Sequence, residues 1–113
     1  MKLLYPVIPV LSLLLIGCGD PPPERMKKGD QLYGYYCRNC HETTGLGPFL
    51  EQVPLTERSM QQHEIVLMIK HGYDQGHAHM PTFKQLSDQQ ADALAQFVIE
   101  QRRQQARLRG KQP

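Results

Sequence analysis

The chain has 113 residues, with thirteen Lys and Arg against eleven Asp and Glu and no tryptophan. That length suits one small domain, which buries only about 60–70% of the surface its unfolded chain exposes. A formal charge of +2 falls well short of the electrostatic footprint of a nucleic-acid binder, so no nucleic-acid partner is expected. The charge is also uneven. Residues 18–100 hold seven basic and eleven acidic side chains, a net −4, whereas 101–113 hold five basic residues (Arg102, Arg103, Arg107, Arg109, Lys111) and no acid. Three cysteines cannot all pair with one another, so at least one needs another explanation.

At the start, Lys2 precedes an apolar run over 3–16 in which Ser12 alone is polar. The run has the length of a signal-peptide core and falls short of the roughly 20 residues a membrane-spanning helix needs. Pro6 and Pro9 argue against an undisturbed helix there, because each removes a backbone donor. Its end, Leu15-Ile16-Gly17-Cys18, resembles the lipobox of bacterial lipoproteins. That resemblance implies a signal peptide over 1–17, acylation of Cys18, and export to the periplasmic side of a bacterial membrane. Acyl chains contribute about 0.8 kcal/mol per buried CH₂, and two or more hold a protein stably at a bilayer. Residues 18–25 then read as a short tether, stiffened by Pro21, Pro22 and Pro23.

Beyond the tether no stretch alternates apolar and polar residues, which predicts an all-α domain. A first helix is expected over 26–36, with Gly29, Leu32, Tyr33 and Tyr36 on one face. A second is expected over 59–71, carrying Met60, Met68 and the run Ile65-Val66-Leu67-Met68-Ile69, and stopped by Gly72. Apolar on every side, that run suggests an element wedged between two buried surfaces. A third begins after Ser87, whose capping box is completed by Gln90, with Asp88 suited to the helix dipole. Ala91, Leu94, Ala95, Phe97 and Val98 form its apolar stripe, and Gly110 marks its end. Loops rich in Gly and Pro fill 43–54 and 73–82. The domain is expected to span 26–103, followed by a basic tail over 104–113.

Cys37-Arg38-Asn39-Cys40-His41 is the attachment pattern of c-type haem. Two thiols three positions apart each add to one haem vinyl group, and the adjacent imidazole is aimed at the iron. An export signal strengthens the reading, since haem c is attached outside the cytoplasm. Two rivals compete. A redox-active dithiol belongs beside a βαβ pattern, which is absent from this sequence. A zinc site needs further ligands, for which His77 and His79 are the available donors.

Over residues 26–103 the sequence resembles the class I cytochrome c family. The matching positions are Gly29, Leu32 and Tyr33, then Cys37, Cys40 and His41, then Gly45, Gly47 and Pro48, then Ile69 and Gly72, Met80 and Pro81, and finally Leu94, Phe97 and Val98. The resemblance implies a small cytochrome c fold, about three main helices and loops wrapped around one covalent haem c. It implies His41 and Met80 as axial iron ligands, with a proline carbonyl near Pro48 accepting a hydrogen bond from the ligand imidazole. A soft thioether favours reduced iron and raises the potential relative to two nitrogen ligands. The segment His77-Ala78-His79-Met80 leaves two alternatives for that sixth position, His79 and His77. Incidental copper or nickel binding by the same segment is a further reading.

Two axial ligands leave no open position for substrate, so single-electron transfer between redox partner proteins is expected rather than catalysis. A haem subunit docked permanently in a membrane or periplasmic oxidoreductase, and a ligand-binding sensor, are the alternatives. The basic tail is read as a solvated helix end, a docking element, or a contact with anionic headgroups.

Overall fold

A computed structural model of the chain describes residues 17, 19–43, 56–75 and 78–111. Cys18, His77 and the segment holding Gly45, Gly47 and Pro48 lie outside the described residues. The elements run in the order α1 (Gly29–Tyr36), α2 (Gln62–His71), β1 (Tyr73–Gln75), β2 (Ala78–Met80) and α3 (Asp88–Gly110). A 3₁₀ turn at Pro23–Arg25 precedes α1, and a π turn at Asn39–Thr43 follows it.

The longest helix, α3 with 23 residues, is the spine on which both α1 and α2 pack. Its start is where the capping box predicts. Ser87 Oγ accepts from the Gln90 N–H at 3.1 Å, and Gln90 Oε1 accepts from the Ser87 N–H at 3.0 Å. The Gln90 amide group has a second task, since its Nε2 donates to the carbonyls of Pro23 at 3.1 Å and Met26 at 2.9 Å. This pins the chain entering the domain to the first turn of α3. Pro22 has the φ and ψ of a polyproline helix (−59°, 152°), but the expected stiff tether turns at Pro23–Arg25 into a 3₁₀ turn.

Ala91, Leu94 and Ala95 on α3 are buried against Leu32 and Tyr33 of α1 and Ile65 and Ile69 of α2, with Met26, Cys37 and Leu86 completing the core. Leu32 and Leu94 are fully enclosed, and each such side chain contributes about 1.5–3 kcal/mol by leaving water. The α1–α3 crossing depends on Gly29. A Cβ there would fall on the Ala93 carbonyl oxygen and on Phe97 Cβ, so the two backbones meet without a side chain between them. On the opposite side α2 is tied to α3 by a Lys70–Asp88 ion pair and by a Gln62 Nε2–Asp92 Oδ1 hydrogen bond of 2.6 Å. Lys70 holds the Asp88 carboxyl below its ordinary value through the hydrogen bond and its charge.

Four expectations need correction. The domain is not purely helical, because β1 and β2 pair antiparallel with Tyr73 opposite Met80, Asp74 opposite His79 and Gln75 opposite Ala78. Strands of three residues are too short to register as an alternating pattern. The second helix starts at Gln62 rather than Ser59, whose hydroxyl accepts from the Thr56 N–H at 2.8 Å and from Arg102 Nη2 at 3.2 Å. Met60 therefore lies ahead of α2 and is exposed, whereas Met68 is on the helix and half-buried. The apolar run of α2 buries one stripe, Ile65 and Ile69, and leaves Leu67 54% exposed. Finally, the first helix begins at Gly29, and Met26 enters the core from extended chain.

Gly29→Ala is expected to lower stability by about 1–3 kcal/mol, because the added methyl meets backbone that cannot swing aside. Gly34→Ala is the control. Its Cβ would meet only the exposed end of the Arg38 side chain, at 3.3 Å, and no backbone. A neutral or slightly higher thermal midpoint is expected for it, and equal losses in both variants would contradict the crossing.

Candidate functional site

The attachment segment leaves α1 without losing its helical path. The Cys37 N–H donates to the Tyr33 carbonyl at 2.9 Å, and the His41 N–H donates to the Cys37 carbonyl at 3.0 Å. Positions i, i+3 and i+4 on such a path share one side, which gathers Cys37, Cys40 and His41. Both thiols are free rather than joined in a disulfide. Cys37 is buried, Cys40 exposed and His41 half-buried. Burial pushes the Cys37 thiol up to about 12, with neighbouring Cys40 adding to the rise. A redox dithiol needs the opposite shift, toward thiolate at neutral pH. The dithiol reading therefore loses ground on electrostatics as well as on sequence context. Among the described residues no group of three or more His, Cys, Asp or Glu gathers to hold a metal.

A polar clasp surrounds the segment. Tyr33 Oη donates to Glu42 Oε1 at 3.2 Å, and Arg38 Nε pairs with Glu42 Oε2 at 3.2 Å. The Arg38 guanidinium also lies 5.8 Å from the centre of the Tyr33 ring. Burial, and then the Glu42 charge, raises the Tyr33 hydroxyl well above its ordinary value, so it stays protonated and donates. The ring of Tyr33 rests on Phe97 of α3, centroids 5.4 Å apart. Residues on both sides of His41 are thus tied to the helix crossing. Sequence reasoning missed Glu42. The available signal was its i+4 spacing from Arg38.

The second half of the site is the hairpin after α2. Gly72 closes α2, its N–H donating to the Met68 carbonyl at 2.8 Å, and turns the chain with φ 78° and ψ −179°, a region open only to glycine. A Cβ there would lie 2.7 Å from the Met80 carbonyl oxygen. Gly72 therefore sets how closely Met80 returns to the end of α2. Alternation along β2 sends Met80 and His79 to opposite faces. Met80 is half-buried and packs on the core, whereas His79 is exposed. An open depression beside the hairpin is lined by His71, Asp74, His79, Met80, Pro81 and Thr82, among others.

Phe83 joins the two halves. Its N–H donates to the Ile69 carbonyl at 2.9 Å, and its ring meets Tyr36 edge-on with centroids 5.9 Å apart. Tyr36 immediately precedes Cys37 and Phe83 follows Met80 by three residues, so this contact brings the attachment segment and the methionine hairpin to the same core. Phe83 went unnoticed in the sequence because it sits in an irregular loop without periodicity. Arg58 and Lys84 are both exposed.

Free thiols at attachment spacing, an adjacent imidazole and a half-buried thioether on an apolar core suit a covalently held haem, and the domain is that of a c-type cytochrome. A family model described as cytochrome c oxidase, cbb3-type, subunit III matches residues 24–98, more than half of the chain, and the chain belongs to that family. No curated protein and no solved structure gives a match.

Gly72→Ala is expected to cost about 1–3 kcal/mol and to speed amide exchange at Phe83 and across the hairpin. Wild-type stability and exchange in this variant would show that the turn does not hold Met80 in place.

Proposed function

We propose that this chain is a mono-haem cytochrome c lipoprotein that passes single electrons at the outer face of a bacterial membrane. Cys37 and Cys40 would form the two thioether links to a haem, and His41 and Met80 would supply the protein ligands to its iron. The group so held would supply a one-electron ferric/ferrous couple. The observation carrying the reading is the Tyr36–Phe83 contact, which draws the attachment segment and the Met80 hairpin onto one core. The half-buried position of Met80, against the exposed and oppositely directed His79, favours sulfur as the sixth ligand. His77 remains a second nitrogen candidate. Cys18 carries the lipid anchor in this proposal, and the domain acts on redox partner proteins rather than on a substrate. No helix among the described residues is long and apolar enough to cross a membrane.

The family description favours a second reading, in which the domain is docked permanently in an oxidase complex instead of shuttling. The two differ in salt response, because screening loosens a transient charge-guided encounter far more than a packed subunit interface. A shuttle is expected to dissociate from its complex when membranes are solubilised and washed at high salt, and a subunit is expected to remain.

Met80→Ala is expected to abolish the weak far-red band of sulfur-ligated ferric haem c and to lower the reduction potential, while His79→Ala and His77→Ala leave both unchanged. Loss of the band in a histidine variant but not in Met80→Ala would overturn the ligand assignment.

A further inference from the structure

The last two turns of α3 extend past the core. Its buried positions end at Arg102, and residues 106–111 are all exposed. This projecting tip carries Arg103, Arg107, Arg109 and Lys111, and the last acid before it is Glu100, at 3.9 Å from Arg107. Arg103, Arg107 and Lys111 follow one another at intervals of four, which stacks them along one side of the helix. Leu108, 53% exposed, is the single large apolar side chain among them.

The geometry points to an anionic lipid surface as the partner of this tip, which gives the domain a second attachment point to the bilayer. Protein docking sites are organised around a desolvated aromatic or aliphatic centre ringed by polar groups. Here the arrangement is reversed, with charge along the helix and one leucine, which suits diffuse headgroup charge better than a shaped pocket. Position also favours lipid. Gln90 pins residues 23–26 to the first turn of α3, so the chain from Cys18 enters at that end. The five residues from Gly19 to Pro23 reach at most about 18 Å even when fully extended, so that end of α3 stays close to the bilayer. The basic tip lies about 20–30 Å further along the same helix. An anchor at one end and a basic cluster at the other hold α3 along the membrane rather than upright, and tethering makes the second contact intramolecular. The two-point arrangement rests on the lipid-anchor reading proposed above, whereas the affinity of the tip for anionic headgroups does not.

The test uses the full, lipidated, haem-loaded protein with vesicles of phosphatidylcholine alone or mixed equally with phosphatidylglycerol. A spin label on Leu108→Cys reports exposure to a water-soluble paramagnetic reagent. Protection is expected in the mixed vesicles only, and is expected to disappear at high salt, where screening lengths shrink to a few ångström. Each of Arg103→Gln, Arg107→Gln, Arg109→Gln and Lys111→Gln is expected to lower the bound-to-free ratio of the tip by about fivefold. Equal exposure in neutral and anionic vesicles would overturn the proposal, as would protection that appears only when an acidic protein partner is added. Flotation separates the two readings. Failure to float with neutral vesicles removes the anchor and the two-point arrangement, while flotation with anionic vesicles alone upholds the tip.

Discussion

Where α1 crosses α3, Gly29 leaves the backbones in contact at Ala93 and Phe97, and the positions of most other groups in the site follow from that approach. With α1 set this close, Leu32 is fully enclosed and Tyr33 lies on Phe97. Cys37 is the next position along the same buried face, one turn beyond Tyr33, and its thiol goes into the core as a consequence. A larger residue at 29 would lift α1 and move the attachment segment with it. An aromatic pair such as Tyr33–Phe97 adds about 0.5–1.5 kcal/mol beyond its buried area, so the crossing is fastened one turn beyond the glycine.

The segment bearing His41 is held by two kinds of force. Its backbone follows the helical path from Tyr33 through Cys37 to His41. Its side chains add the Tyr33–Glu42–Arg38 clasp, in which a buried, protonated phenol orients one carboxylate oxygen and an arginine takes the other. The Arg38–Glu42 pair is exposed at 53% and 38%, so solvent screening leaves it a modest contribution on its own. The Tyr33 bond is better shielded and fixes where the carboxylate stands. The clasp therefore acts mainly through geometry, limiting how far the residues flanking His41 can turn.

Much of this organisation was legible in the residues, and the exceptions have physical causes. Ser87 and Gln90 announced the start of α3 because a capping box is a local interaction between near neighbours. The attachment motif and Met80 stand out in the sequence because the chemistry proposed for them is tied to residue type. Ser59 misled, since its hydroxyl serves the turn after Thr56 and the distant Arg102 rather than a helix start. The hairpin escaped notice because its three-residue strands leave no periodic trace, and its geometry depends on a positive φ at Gly72 that a C-terminal glycine alone does not specify. Phe83 acts through Tyr36, 47 positions away, and pairings across the fold have no local signature; the one local trace of Glu42 is its i+4 spacing from Arg38.

Gln90 gives the domain a property beyond the stability of one helix start. Its amide oxygen completes the cap of α3 while its amide nitrogen holds the carbonyls of Pro23 and Met26. Met26 is buried in the core, and α1 begins three residues later. From Pro23 to His41 the chain thus passes through a hydrogen-bonded turn, a core residue, a helix in close contact with α3 and a clasped attachment segment, with no long irregular stretch between. A flexible entry would let the domain present any face to its surroundings. This entry is fixed to α3, the helix on which α1 packs, so the direction in which the chain arrives at Pro23 is set relative to the attachment segment that follows α1. The orientation of the attachment segment is therefore decided by the first turn of α3 as much as by the surface around the site.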